Sequence, residues 1–396
     1  MPSRRALFPA VVTAVGLAFA PLLTLGCGKT VPTDAGAKSD ATPAPLDPGQ
    51  TKQRDDLDAT LKALAETKMN GQGATFVEPI MKFWTNEFIE KTGGKVKINY
   101  QGTGSGAGVT QMTKKLADFG CSDAPMNQKQ LDEAKSNGGA VVHVPLVIGA
   151  VVPMYNLPGV DAPVKFTGPL LVEIFTGKVA KWNDPKLAAL NPGVALPDLA
   201  IQPVYRADTS GTSFIFSDYL SKVDAGFKKE VGASTAPKWP ETVGIRQPKS
   251  DGVAGHIDRT PGAIGYIELT YALDKKAKYG SVRNKAGKDV LADFAGITAA
   301  AEASLGEKQT AEPYSLHELT YNLTDAGGDG SYPIAGMSFA VVYQKLEGAK
   351  GKAVVAFLRW ATSPEGQEMA KKRNYAPLPP ALGAKIAARL DTVSVE

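Results

Sequence analysis

Cysteine and histidine are almost missing from this 396-residue chain. Two cysteines, Cys27 and Cys121, exclude a disulfide framework. The three histidines, His143, His256 and His317, lie far apart with no Cys-x-x-Cys in the chain, so a zinc site lacks its usual ligands. Charge of one sign is scarce too: the formal net charge is +4, and removal of residues 1–26, which carry Arg4 and Arg5 and no acid, lowers it to +2. That balance argues against a nucleic-acid-binding surface, and no Lys/Arg run looks like one. Catalytic signatures are missing as well. There is no Gly-x-Ser-x-Gly elbow, no His-Glu-x-x-His, no evident carboxylate pair and no histidine beside a candidate nucleophile in sequence. Glycine and proline, by contrast, are plentiful at 41 and 28 in a chain that is 43% hydrophobic. That suits a globular body of two lobes with a cleft better than one compact core.

Arg4 and Arg5, an uncharged and mostly apolar stretch from Ala6 to Gly26, and then Cys27 read as an export signal over residues 1–26. Leu23-Thr24-Leu25-Gly26-Cys27 resembles a bacterial lipobox, with Thr24 where Leu is usual; in that reading Cys27 is lipidated and becomes the mature N-terminus. Ser3-Arg4-Arg5-Ala6-Leu7 has a loose twin-arginine look. The alternative is an uncleaved anchor helix, since the apolar stretch exceeds about 18 residues. Either reading puts the body outside the cytoplasm, in the periplasm or at the cell surface. Gly28 to about Lys52, rich in Pro, Ala, Asp, Thr and Lys, buries too little to offset its ordering and reads as a tether. Asp55 to Lys68, with Leu57, Leu61 and Leu64 at helical spacing, predicts a short added helix, so that residues 27–69 precede a body beginning near Asn70.

The body alternates helix and strand. Val77–Thr92 predicts a helix with Ile80, Trp84 and Phe88 on its core face, Lys95–Tyr100 a strand, and Val109–Leu116 a helix presenting Val109, Met112 and Leu116. A short strand at Asp118–Cys121, an apolar run at Val141–Val152, a strand at Ile201–Tyr205, a helix at Ser213–Val223 and a strand at Gly262–Ile267 follow. Residues 274–331 carry no clear period; Ile334–Tyr343 reads as a strand, before helices at 352–362, 364–373 and 380–390. The β/α pattern predicts a largely parallel sheet with its ligand crevice at the strand C-termini.

Three Gly/Ser/Thr segments stand where helices begin: Gly73-Ala74-Thr75-Phe76, Gly102-Thr103-Gly104-Ser105-Gly106 and Thr209-Ser210-Gly211-Thr212-Ser213. A helix start offers unpaired N–H groups, hydroxyls and about half a positive charge, so three starts aimed at one point form an anion cage. The glycine-rich turn at 102–108 has the wrong spacing for a dinucleotide fingerprint, and no Gly-Lys-Ser/Thr follows it. Taken singly, Thr209–Ser213 reads as an N-cap, Arg206 and Asp208 as a surface ion pair, Asp123 as a cap, and Trp84 and Trp182 as core.

Together with Asp118-Phe119-Gly120-Cys121-Ser122-Asp123-Ala124-Pro125, Arg206-Ala207-Asp208, Pro261-Gly262-Ala263-Ile264-Gly265-Tyr266, Lys181-Trp182-Asn183-Asp184 and Tyr375-Ala376-Pro377-Leu378-Pro379, these segments resemble, in order, the substrate-binding proteins of phosphate-specific ABC transporters. The resemblance runs from about Gly71 to the C-terminus, excepting 274–331. It implies an α/β, two-lobed type II periplasmic binding protein fold, with mixed sheets flanked by helices and a ligand cleft between lobes. The lobes are then 70–150 with 332–396, and 151–331, joined near Val147–Val152 and Ile334–Phe339. It carries over Thr75, Phe76, Ser105, Asp123, Arg206, Ser210, Gly211 and Thr212 as phosphate contacts, with Asp208 holding the arginine. Gly106-Ala107 departs from the family's second Ser and following Gly, and Cys121 from a common Ala. A monomer is expected, with a membrane permease as partner, no cofactor and no covalent chemistry.

The residues themselves lead to a similar place. A buried oxyanion needs its oxygens hydrogen-bonded. The hydroxyls of Thr75, Ser105, Ser210 and Thr212 and the amides of Phe76, Gly106, Gly211 and Thr212 supply donors, Gly104, Gly106 and Gly211 let the backbone approach, and Arg206 adds a positive fork. Asp123 repels an anion unless the ligand brings a proton, which phosphate does and sulfate does not. Two further readings keep the same cage: an exported phosphoester hydrolase with Ser105 or Thr75 as nucleophile, and an anchored phosphate sensor without transport.

Overall fold

The stripe formed by Leu57, Leu61 and Leu64 packs a helix, α1 (Pro48–Lys62), and the turn after it onto the body; Leu61 is fully buried. The structure, a computed structural model, describes residues 48–396, so the expected export signal, Cys27 and the tether up to residue 47 lie outside the described residues. The helix begins seven residues before the predicted Asp55.

Alternation and turn residues account for the next elements. β1 (Thr67–Gly73) leads to α2 (Glu78–Lys91), which carries Pro in its first turn, buries Ile80, Trp84 and Phe88, and is followed by Gly93 and Gly94 at positive φ. β2 (Val96–Gly102) leads to α3 (Ser105–Thr113), and β3 (Phe119–Ser122) to α4 (Gln128–Asn137), whose start Asn127 and Gln130 close with a capping box. Asp123 is therefore free of the capping role open to it in the sequence. α3 starts four residues before the predicted Val109 and stops at Thr113; Lys115 has φ +57, so Leu116 turns outward and is 66% exposed instead of joining the core face.

The continuous apolar run becomes one strand of 15 residues, β4 (Val141–Tyr155). After it come β5 (Gln202–Arg206), α5 (Gly211–Val223), β6 (Ile245–Gln247), α6 (Lys249–Arg259), β7 (Ala263–Glu268), α7 (Leu269–Asp274), α8 (Phe294–Leu305) and β8 (Ala335–Tyr343). Three helices follow: α9 (Gly348–Ala361), α10 (Pro364–Lys372) and α11 (Pro380–Asp391). No helix among the described residues is long and apolar enough to cross a membrane.

The strands line up as β2-β1-β3-β8-β4-β7-β5-β6. The outer trios are parallel, but β3–β8, β8–β4 and β4–β7 are antiparallel, which corrects the expectation of a largely parallel sheet. β8 reaches β3 and β4 from far along the chain, and no local period announces such a pairing. β4 pairs with β8 through Val141–Ala150 and with β7 through Val151–Tyr155, so one strand serves both flanks. Its burial on both faces explains the unbroken apolar run. Phe88, Phe357 and Trp360 cluster on one flank and Phe175, Phe216, Trp239 and Tyr266 on the other.

Candidate functional site

Every expected site residue stands just past the C-terminal end of a strand or at the end itself. β1 ends before Thr75 and Phe76, β2 before Ser105, β3 before Asp123, and β5 at Arg206 with Asp208 and Ser210 beyond. Each parallel trio points its C-termini to one side, and because the trios run in opposite senses across β8 and β4, those ends are turned towards each other. Gly73 (φ +142) and Gly104 (φ +96) make the turns that bring the first two segments together; a Cβ on Gly104 would lie 2.5 Å from Asp208 Oδ2. The Gly106 amide donates to the Thr209 carbonyl (3.1 Å), so the segments from the two flanks of β4 touch directly.

Two hydrogen-bonded chains run through the site. In one, Ser105 Oγ accepts from the amides of Gly211 (3.0 Å) and Asp123 (3.2 Å) and lies 3.4 Å from Asp123 Oδ2, while Ser338 donates to Asp123 Oδ1 at 2.7 Å. In the other, Thr75 Oγ1 is 2.8 Å from Ser250 Oγ, which lies 3.4 Å from Arg206 Nη1; Thr212 Oγ1 is 3.5 Å from the same nitrogen. Arg206 gives Nε and Nη2 to the two carboxylate oxygens of Asp208, at 2.9 and 2.5 Å. Its Nη1 hydrogens make only the long contacts just described, so they are the least committed donors of the fork. Thr75, Ser105, Asp123, Arg206, Ser210 and Thr212 are all 4% exposed or less.

Burial pushes the Asp123 carboxyl up to about 7, against the opposing pull of the Ser338 bond, the Arg206 charge and Ser105. Asp208 is also raised by burial, but the Arg206 bonds and charge and the Lys249 amide outweigh it and hold the carboxyl below its ordinary value. The site thus pairs a fixed cation with one committed carboxylate and keeps a second carboxylate poised near neutrality. Cys121 is a buried free thiol on β3, and burial raises its titration above the ordinary cysteine value.

The structure brings all the expected residues together, with two adjustments to their duties. The Gly106 and Gly211 amides, expected to face a ligand, are taken by Thr209 O and Ser105 Oγ. Ser210 Oγ caps α5 by accepting from the Ser213 amide (3.2 Å), leaving its hydrogen to give. The amides of Phe76 and Thr212 have no partner among the described residues. Ser250 and Ser338, both fully buried, were missed by the sequence reading. Ser250 follows Lys249 (φ +59) in the first turn of α6, and Ser338 pairs with Val147 just before the β8–β4 register slips to put Phe339 opposite Pro145. Neither has a Gly/Ser/Thr cluster around it as a signal.

Gly211 is a tight point of the cage: a Cβ there would lie 2.5 Å from Asp123 Oδ2, Asp123 Cβ and Ser105 Oγ. Gly211→Ala is expected to cost about 1–3 kcal/mol through overpacking, read as a lower denaturant midpoint with an unchanged slope. An unaltered midpoint would mean that the two flanks do not meet this closely in solution.

Residues 48–365 match the PBP superfamily domain. The phosphate-binding protein PstS of Xylella fastidiosa (strain Temecula1) is 38% identical over 371 residues, covering 92% of this chain and 96% of that protein. The phosphate-binding protein PstS of Methanocaldococcus jannaschii is 34% identical over 308 residues, covering 75% and 78%. Among solved structures, the phosphate binding protein from Stenotrophomonas maltophilia aligns with a TM-score of 0.61 at 19% identity, over 81% of this chain and 93% of that one, a likeness of fold.

Proposed function

Because the chain belongs to the PstS family of phosphate-binding proteins within the PBP superfamily, we propose that it is an extracytoplasmic receptor that captures inorganic phosphate and delivers it to an ABC importer. Its fold is the mixed α/β, two-lobed fold of periplasmic binding proteins. We assign residues 70–150 with 332–396 to one lobe and 151–331 to the other, with β4 as one crossing and the entry to β8 as the second.

The observation that carries the reading is the burial of Thr75, Ser105, Ser210 and Thr212 with Arg206 and Asp123, and the two hydrogen-bonded chains that run among them. The amides of Phe76 and Thr212, the hydroxyls of Thr75, Ser105, Ser210 and Thr212, and Arg206 Nη1 surround the oxyanion, and Ser250 and Ser338 hold Thr75 and Asp123 in place. Asp123 accepts the hydrogen that phosphate carries. Asp208 neutralises part of the Arg206 charge and keeps release within reach. No histidine or lysine among the described residues stands beside Ser105 Oγ or Thr75 Oγ1, and the one carboxylate near Ser105, Asp123, makes its shorter bond to Ser338 and only a long 3.4 Å contact to Ser105 Oγ, so binding without turnover is favoured over the hydrolase alternative. Lipidation of Cys27, a monomeric state and a permease that reads the closed lobes complete the proposal.

Equilibrium binding of labelled phosphate, competed with sulfate from pH 5 to 9, tests it. One phosphate retained per chain, chemically unchanged and not displaced by equimolar sulfate, is the expected result. Turnover of a chromogenic phosphoester at this site would favour the hydrolase instead.

A further inference from the structure

Glu268 ends β7 opposite Val151, next to the position where β4 leaves β8 for β7. It is fully buried, and no Lys, Arg or His among the described residues pairs with it; Arg206 and Arg373 are turned to Asp208 and Asp274. Counting hydrogens around it is instructive. Thr270 Oγ1 lies 3.0 Å from the Arg373 carbonyl oxygen and 3.2 Å from Glu268 Oε1. Tyr375 Oη lies 2.6 Å from the Phe76 carbonyl oxygen and 3.3 Å from Glu268 Oε2. A carbonyl oxygen only accepts, so the shorter bond claims each hydroxyl's single hydrogen, and both hydroxyls turn lone pairs towards Glu268. An ionised carboxylate would then keep one donor, the Thr270 amide at 2.9 Å from Oε2. A proton on Oε1 instead donates to Thr270 Oγ1, which donates onward to Arg373 O, and every oxygen in the chain is satisfied.

We infer that Glu268 is held as a neutral carboxylic acid, which leaves the Tyr375 hydrogen to the Phe76 carbonyl and so keeps the Thr75–Phe76 loop positioned for its ligand. Tyr375 fastens the Phe76 carbonyl, and Tyr271, one turn into α7, fastens the Thr75 carbonyl at 2.6 Å. The titratable groups facing Glu268 are Tyr271 from its own flank, Tyr375 from the segment after α10, and Asp123 from the end of β3. Burial pushes its carboxyl up to about 8, the Thr270 and Tyr375 contacts pull down, and the Asp123 charge adds to the rise. The consequence for affinity rests on the phosphate-receptor reading; the protonation state does not.

Infrared spectroscopy and binding of inorganic phosphate to the whole protein test the two parts separately. At pH 7, ligand-free Asp123→Asn is expected to show the carbonyl stretch of a neutral carboxylic acid, and Asp123→Asn with Glu268→Gln to lack it. Glu268→Leu is expected to weaken phosphate binding at least tenfold at pH 7, and Glu268→Gln, whose amide donates to Thr270 as the acid does, to restore most of that loss. By pH 9, about one unit past the titration, wild-type affinity should fall up to about tenfold further than that of Glu268→Gln. A missing acid band, or a wild-type to Gln affinity ratio constant from pH 6 to 9, overturns the inference. If wild type binds no phosphate at all, the receptor reading fails and the infrared band still decides the state of Glu268.

Discussion

Asp123→Asn is expected to collapse the discrimination between phosphate and sulfate by roughly three decades. A carboxylate about 4 Å from an anion in a surface-like dielectric costs roughly 4 kcal/mol, and the cost grows as water is excluded. At about 1.4 kcal/mol per decade, that is close to a thousandfold penalty for a ligand with no hydrogen to share. Phosphate escapes it by donating its own O–H to the carboxylate. Asparagine removes the charge, keeps one acceptor beside Ser338 and adds a donor, so sulfate should gain affinity while phosphate loses its acceptor. Calorimetric titration with each anion at pH 8, above the value of about 7 at which Asp123 ionises, gives the ratio directly. An unchanged ratio would remove Asp123 from the selectivity mechanism. The ligand-free protein should also respond to pH. A carboxyl raised in the folded state favours folding fully below its unfolded value of about 3.9 and loses that contribution as pH rises through about 7. Ligand-free stability should therefore decline over that window, and Asp123→Asn should flatten the decline.

Arg206→Ala is expected to lower phosphate affinity by at least about a thousandfold and to destabilise the protein as well. The guanidinium is buried, and its removal leaves Asp208 half-buried without the fork that holds both its oxygens. Breaking a buried pair by deleting one partner costs roughly 3–5 kcal/mol, and the anion would lose its only cation among the groups at the site. Arg206→Lys separates the two effects. It keeps the charge, but a point ammonium cannot serve Asp208 through two nitrogens while offering a third to Thr212 and Ser250. The lysine variant should recover most of the stability and only part of the affinity, measured by chemical denaturation and phosphate titration. Equal loss of affinity in both variants would show that fork geometry, more than charge, holds the ligand; no loss in either would exclude Arg206 from the site.

The parts of the site legible in the sequence are those where function changes local composition. Thr75, Ser105 and the run from Arg206 to Thr212 stand out because glycines and hydroxyls crowd a helix start, and Asp123 because a carboxylate among them makes no sense without a protonated partner. Ser338 has no such signature. It lies between Met337 and Phe339 in an otherwise apolar strand, and its contact with Asp123 depends on a register slip across β4, 215 residues from its partner in sequence. Ser250 and Glu268 were overlooked for the same reason: each meets its partners through tertiary pairing. The early start of α3 is another case. Gly106-Ala107-Gly108 argues against a helix by propensity, yet a Cβ on Gly108 would lie 2.5–2.7 Å from the backbone of Gln72, Gly73 and Cys121, so packing demands glycine where the helix would prefer alanine. Residues 274–331, without period in the sequence, form short strands, α8 and turns that cover the flank of β4.

The burial of the whole cage under Ser105, shared between Gly211 and Asp123, bears on timing. In the proposed receptor, a phosphate held at this depth would leave only when the Ser105–Gly211 bond and its neighbours part together. Residence time would then be set by how often the two jaws gape, and a transporter that grips them would act as the key.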